Sequence, residues 1–228
     1  MNASMFHVGK NDRRAYPALS SYVFQGTQIE STAMVDPRSR APIVMAQNRQ
    51  FLESVLDRQF QLANEKGYPI SIALIAIHQE TVDAPLSTAS EAILNTVAKI
   101  CRSHVRPSDL IFRYGESMLV LVCLQSNEDG TTSVARRLKE SLARPLFFGK
   151  RSVTVHPIFA VSGVTSGFGS AGNSLLKTAE SVFIKAIAVK SNLASAAQYG
   201  IGHVSTDVNN QDIANAITGM YEPFAGQP

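Results

Sequence analysis

Hydrophobic residues along the first half of the chain change from helical to strand-like spacing and back. From about residue 47 to 66 they recur at near-helical intervals, and Gly67 follows where helices commonly stop. Residues 70–77 form an unbroken β-rich apolar run, which predicts a central, fully buried strand. A second helix is predicted from Ser87 to His104, with Ser87 or Thr88 as its cap.

Two apolar strands separated by a very short turn come next. Residues 110–114 and 118–124 flank this turn, which is a hairpin signal. Pro157 lies inside a later strand and favours an edge position or a bulge there. Beyond the hairpin the pattern predicts a helix at 131–143, a strand at 152–161, a loop at 162–172 and a helix at 173–190. We therefore expect an α/β domain with a mixed central sheet and helices on both faces.

The two ends of the chain lack this regular pattern. Residues 1–40 contain scattered Pro, Gly and Ser and are predicted to be a mobile tail, either a simple extension or a docking segment for a protein partner. Residues 201–228 are predicted to be a polar extension with one weak helical stretch near 212–217. The single domain is expected at 41–200.

Composition narrows the class of protein. Hydrophobic residues make up 45% of the chain, so a sizeable core can form, and the net charge of +3 is too mild to favour a nucleic-acid polymer or an anionic membrane. No apolar run reaches the roughly 18 residues of a membrane span, and the first ten residues lack the apolar core of a signal peptide. Cys101 and Cys123 lie in apolar runs and are expected to be buried free thiols. These features favour a cytoplasmic protein.

The predicted hairpin carries a recognisable motif. Arg113-Tyr114 and the five residues after it resemble the diguanylate cyclase signature, in which Arg-Tyr precedes Gly-Gly-Asp-Glu-Phe on a β-hairpin. The five signature positions are Gly115, Glu116, Ser117, Met118 and Leu119. Further matches are Asn48-Arg49 at the start of the first helix, Ala179-Glu180 in the last helix and Asn192 after it. The resemblance covers about residues 42–200 and implies one GGDEF, nucleotidyl-cyclase-like domain with the hairpin at the former active site.

The signature is degenerate where the family's chemistry requires acidic residues. Cyclases of this family condense two GTP molecules with divalent metal held by carboxylates. The resemblance places Ala76 at the first metal-binding Asp, and Ser117 and Met118 at the acidic pair. Glu116 replaces the second Gly, where a side chain crowds the phosphates. It follows from the resemblance that the chain is not an enzyme and binds neither metal nor other cofactor.

Two further replacements point the same way. The family's last helix supplies a Lys and an Arg to the phosphates, and those positions are Ile187 and Ser191 here.

A second family motif is intact beside the broken one. Arg106 and Asp109 form an Arg-x-x-Asp motif at the family's spacing before the signature, where product binds in inhibited cyclases. An Arg fork suits the O6 and N7 acceptors of guanine, and a carboxylate suits its N1–H and N2–H donors. The resemblance adds Arg137 on the following helix, with Arg136 as a possible substitute. The alternatives are a surface ion pair for the first two residues and an ordinary exposed helix position for the others.

Three functions are compatible with the sequence. The first is a cyclic di-GMP receptor that relays the signal to a regulatory protein partner, with residues 1–40 as the candidate contact. The second is an interaction or dimerisation module that needs no ligand, and a homodimer is left open. The third, GTP binding as an allosteric signal, is weakened by the replaced phosphate and metal groups.

Overall fold

The fold is known from a computed structural model, which describes residues 43–45, 49–81, 84–115, 117–164 and 172–201. The strands are β1 (Ile43–Met45), β2 (Ile70–Thr81), β3 (Ala84–Thr88), β4 (Leu110–Tyr114), β5 (Met118–Leu124), β6 (Leu146–Phe148), β7 (Arg151–Val164) and β8 (Leu193–Ser195). The helices are α1 (Arg49–Lys66), α2 (Glu91–His104), α3 (Glu128–Leu142) and α4 (Gly172–Ala188), followed by a short 3₁₀ helix at Ala197–Tyr199. Every helix in these ranges lacks the length and apolarity needed to cross a lipid bilayer.

The strands form one mixed sheet in the order β1-β4-β5-β2-β7-β6, with β3 alongside β2 and β8 alongside β7. The β1–β4 and β7–β8 pairs are parallel, and the other pairs are antiparallel. The long central strand β2 is bordered by β5 on one side and β7 on the other. The expected α/β fold with a mixed sheet is confirmed.

Helices cover both faces of this sheet. On one face α2 and α3 pack against alternate sheet residues such as Ile75, Leu121 and Phe159, all fully buried. The intervening sheet residues point to the other face, where Ser162 donates a hydrogen bond to the Leu175 carbonyl of α4 at 2.8 Å. The same face carries the buried apolar stripes of α1 and α4, which are Leu52, Val55, Leu56 and Phe60, and Leu175, Leu176, Ala179, Val182 and Phe183. The core therefore lies on both faces of the sheet, where alternate strand residues pack against the apolar sides of the two helix layers.

The predicted start of the second helix is wrong. Residues 84–88 form β3, which pairs with the end of β2 in the register His78↔Thr88, and α2 begins only at Glu91. The helix is capped at Ser90, whose N–H donates to the Gln79 side chain at 3.1 Å. The local cap signal at residues 87 and 88 was overridden because β2 runs four residues further than its apolar core and recruits a partner strand.

Pro157 lies in an interior strand but, among the described strands, has a neighbour on one side only, so the expectation of an edge position is confirmed locally. It pairs with Ile77 of β2, whose N–H points away from β7 to the Ser117 carbonyl. The pair is therefore not hydrogen-bonded, and the nitrogen of Pro157 faces the opposite side of β7. On that side β6 pairs with β7 only as far as Val153, and β8 pairs with β7 only from Phe159 onwards. The proline thus removes no hydrogen bond from the sheet.

Three short strands, β1, β6 and β8, have no counterpart in the sequence-based prediction, because three residues carry too little periodicity. The predicted tail at 1–40 and the helical stretch near 212–217 lie outside the described residues. Cys101 and Cys123 are buried free thiols as expected, and burial raises the pKa of each to about 12.

Candidate ligand-binding site

The predicted hairpin is present and joins β4 to β5. Tyr114 pairs with Met118, and Gly115 adopts a left-handed φ of 67° at the turn. Glycine tolerates this conformation without the steric cost that a side chain brings. Glu116, at the tip, lies outside the described residues.

The hairpin turn docks directly on β2. Ala76 pairs with Met118, and the Ile77 N–H donates to the Ser117 carbonyl at 2.9 Å. Ala76 is fully buried, and Ser117 and Met118 are 4% and 5% exposed. The next signature residue, Leu119, is buried as well. The fold therefore brings together the positions that the family resemblance assigned to metal ligands, and the side chains there carry no carboxylate.

A buried histidine lies two residues further along β2. His78 pairs across the strands with His156 of β7 and is 1% exposed. Desolvation, with a smaller contribution from His156, lowers the pKa of His78 to about 4, so it is neutral at physiological pH. Within the described ranges no three His, Cys, Asp or Glu side chains converge to hold a metal ion.

The Arg-Tyr pair of the motif is anchored to two helices. Tyr114 donates its hydroxyl to a carboxylate oxygen of Glu180 in α4 at 2.6 Å, and both side chains are buried. Arg113 donates to Glu91 at the start of α2 at 2.9 Å. The hairpin is thus fixed to both helical layers, and the Ala179-Glu180 match has a structural role.

The opposite end of the hairpin strands carries Asp109. One carboxylate oxygen accepts the Arg106 backbone N–H at 2.8 Å, and the other accepts the Leu124 backbone N–H at 3.1 Å. Asp109 is only 4% exposed. Burial raises the pKa of its carboxyl group, and the two amide donors and the nearby Arg106 charge act in the opposite direction.

The arginines predicted for the site are all exposed. Arg106 lies on the turn between α2 and β4, and Arg136 and Arg137 lie on the surface of α3. Ser141, one helical turn after Arg137, is hydrogen-bonded to His104 Nε2 at the end of α2 over 2.8 Å. This contact, which sequence reasoning missed, places α3 against the helix end that leads into the Arg106 turn.

The two positions that the family resemblance assigned to phosphate contacts, at and after the end of α4, are occupied by uncharged residues. Ile187 is half-buried near the end of α4, and the Ser191 hydroxyl donates to the Leu193 carbonyl at 2.8 Å. Asn192, matched from the sequence, accepts a hydrogen bond from Lys139 of α3 at 2.6 Å. These residues fasten the chain after α4 to the domain.

The profile of the family described as "Diguanylate cyclase, GGDEF domain" matches residues 45–193. The chain belongs to the GGDEF family. The match begins in β1 and ends at β8, so it includes both the hairpin and the Arg106 turn.

Curated relatives of this GGDEF domain are longer proteins. Diguanylate cyclase DosC from Escherichia coli strain K12 is 29% identical over 99 residues, covering 42% of this chain and 22% of DosC. The protein of the same name from Shigella sonnei strain Ss046 is 28% identical over 99 residues. The match therefore spans less than a quarter of the length of these relatives.

Solved GGDEF structures share the fold at low identity. The active GGEEF domain of a Vibrio cholerae diguanylate cyclase is 17% identical, with a TM-score of 0.53 over 65% of this chain and 96% of that one. The GGDEF domain of DgcB from Caulobacter crescentus, solved with c-di-GMP, is 14% identical, with a TM-score of 0.53 over 69% and 93%. The FimX GGDEF domain from Pseudomonas aeruginosa is 14% identical, with a TM-score of 0.51 over 67% and 93%.

Proposed function

We propose that this GGDEF domain has no cyclase activity and acts as a cyclic di-GMP receptor that relays the signal to a protein partner. The observation that carries the receptor role is the exposed Arg106, held on a turn that the buried Asp109 closes through a 2.8 Å bond to its backbone N–H. Because the main chain of Arg106 is held in this way, ligand binding does not have to order the turn that presents its side chain.

The ligand's chemistry fits the charges at this turn. Cyclic di-GMP carries two phosphates and two purine rings, and arginine both pairs with phosphate and stacks on flat rings. Arg106 supplies the first cation, and Arg137, with Arg136 beside it, supplies the second from α3. The complex of DgcB with c-di-GMP supports the choice of ligand.

The loss of catalysis is supported by the pairing at the hairpin. Ala76, Ser117 and Met118 lie together where the family resemblance requires metal-binding acids, and none of their side chains is a good ligand for a hard cation. The contact with the protein partner is assigned to residues 1–40, which lie outside the described residues.

Binding is tested by calorimetric titration of the purified protein with cyclic di-GMP and, separately, with GTP. We expect saturable binding of cyclic di-GMP, and Arg106→Ala should weaken it about tenfold to a hundredfold by removing a charged, bidentate contact. Arg151→Ala is the matched control, because Arg151 is also exposed but begins β7. No binding of cyclic di-GMP at tens of micromolar would refute the receptor role.

Catalysis is tested by incubating the protein with GTP and Mg²⁺ and separating the products by chromatography. The Vibrio cholerae GGEEF domain, described as active, is the positive control. We expect no cyclic dinucleotide from this chain. Its formation above the level of a protein-free sample would overturn the proposed inactivity.

A further inference from the structure

The β6–β7 hairpin carries the most exposed large apolar side chain of the described residues. Phe147 is 76% exposed, whereas Leu146 before it and Phe148 after it pack in the core. Because side chains alternate along a strand, Phe147 points to the other face of the sheet, where its cross-strand partner Ser152 is exposed as well. Among the described strands β6 is the last on this side of the sheet, so the aromatic ring projects from the sheet edge.

Three cations flank this ring in the sequence. Arg144 precedes β6, Lys150 lies in the turn and Arg151 begins β7, and all three are exposed. The sequence from 141 to 179 contains no Asp or Glu, so no acidic residue of this segment offsets their charge. A single exposed apolar side chain is common on protein surfaces, and the cations beside it set this one apart. The net charge of +3 for the whole chain, which gave no reason to expect an anionic membrane, conceals this local excess.

The edge of β6 is unsuited to strand pairing. Antiparallel pairing of two such edges centred on Phe147 places Arg144 of one copy opposite Lys150 of the other, and like charges at opposed positions destabilise a sheet. The strand is only three residues long, with Pro145 before it and a turn after it, and such features protect natural sheet edges from strand addition. They also leave few backbone partners for an extended acidic peptide. The charges therefore favour an anionic partner that does not need the backbone of β6.

We propose that the β6–β7 hairpin docks the domain on an anionic lipid bilayer. Phe147 enters the interfacial region, and Arg144, Lys150 and Arg151 lie among the phosphate headgroups. A bilayer needs only these side chains, because its headgroups supply negative charge and its acyl region accepts the apolar ring. One aromatic side chain and three cations give weak, reversible binding, so the hairpin recruits the domain without anchoring it permanently.

Sedimentation of the full chain with lipid vesicles tests this docking. One set of vesicles contains phosphatidylcholine alone, and the other contains about 30 mol% phosphatidylglycerol in addition. We expect binding to the anionic vesicles at low salt and much weaker binding at about 0.5 M NaCl, because salt screens exposed charges. Equal binding to both sets overturns the proposal. Failure to bind the anionic vesicles also overturns it and favours an acidic protein as the partner. Cyclic di-GMP is absent throughout, so the result does not depend on the receptor function.

The role of the aromatic ring is tested by Phe147→Ser, which should weaken binding to the anionic vesicles about tenfold by removing the inserted apolar group. Val189→Ser is the matched control, because Val189 at the end of α4 is the other large apolar side chain that is exposed, at 59%. The control should bind as the wild-type protein does. Unchanged binding of Phe147→Ser would show that the ring does not enter the bilayer.

The role of the cations is tested by combining Lys150→Gln with Arg151→Gln, which should weaken binding about tenfold or more at low salt. The matched control combines Lys66→Gln with Lys99→Gln, which removes the same charge from exposed positions of α1 and α2. An equal loss in both double variants would mean that net charge, and not the hairpin, governs binding. All these positions are exposed, so the urea midpoints of the variants should stay close to that of the wild-type protein.

Discussion

The two ends of the β4–β5 hairpin strands differ in whether they carry a buried carboxylate. At the hairpin end, the buried residues of β2 and of the hairpin have small or apolar side chains, namely Ala76, Ser117 and Met118. At the other end, Asp109 keeps a buried carboxylate whose two oxygens are both hydrogen-bonded. The positions that the family resemblance assigned to metal-binding acids carry no carboxylate at the first end, whereas the second end carries one that is bonded to two backbone amides.

This difference shows why the two ends can diverge within one domain. A metal-binding carboxylate is costly to bury without its cation, so replacing it with alanine stabilises a domain that binds no metal. A carboxylate that satisfies two backbone amides stabilises the fold on its own account, and removing it leaves those amides unpaired. We therefore expect that adding a carboxylate at the hairpin end and removing the one at the other end both lower the free energy of unfolding.

The largest effect is expected from Ala76→Asp at the hairpin end. Ala76 is fully buried between Met118 and Ile158 on the neighbouring strands, so a new carboxylate there is removed from water beside two apolar residues. The free energy of unfolding in urea should fall by about 3 kcal/mol or more. Ser152→Asp, on an exposed position of β7, is the control and should change it by less than about 0.5 kcal/mol.

Unfolding of Ala76→Asp with and without Mg²⁺ shows whether the new carboxylate can take part in a metal site. If Mg²⁺ restores the stability of the variant, the hairpin end is still able to form a metal site, and the contrast between the two ends is refuted. We expect the urea midpoint to be the same with and without Mg²⁺.

His78 should give the hairpin end a distinct pH dependence. Its pKa is about 4 in the folded protein and 6.5 in a model peptide, so between these values the unfolded chain binds more protons than the folded one. Stability is then fully present above pH 6.5 and is lost as the pH falls towards 4, by up to about 3 kcal/mol. Urea unfolding across this range should show the slope, and His78→Gln should flatten it. An equally steep slope in His78→Gln would assign the pH dependence to other groups.

The smallest effect is expected at the exposed start of α3. Asn127→Ala removes the side-chain acceptor of the Gly130 N–H, which should lower the free energy of unfolding by about 1 kcal/mol. Asn64→Ala, at an exposed position of α1, removes no such cap and should cost nothing. Equal costs for the two variants in urea unfolding would mean that the cap does not stabilise α3.

The sequence predicted the long elements well and the short ones poorly. The apolar run after Gly67 and the stripe of α1 identified the sheet and a helix, because periodicity over many residues is a strong signal. The predicted start of α2 was wrong because the pairing of residues 84–88 with the end of β2 outweighed a local cap signal. At the candidate site, the motif located Arg106 and Asp109, but it did not reveal which backbone N–H groups donate hydrogen bonds to the Asp109 carboxylate.

The sequence by itself determined the family, the hairpin and the identity of the replaced residues, since these depend on residue types in a fixed order. Only the tertiary structure decided that Ala76 meets Met118 across two strands, that Ser141 ties α3 to the end of α2, and that Asp109 faces Leu124. The physical reason is that hydrogen bonds join groups far apart in sequence, and burial alone decides whether a carboxylate is available to a ligand.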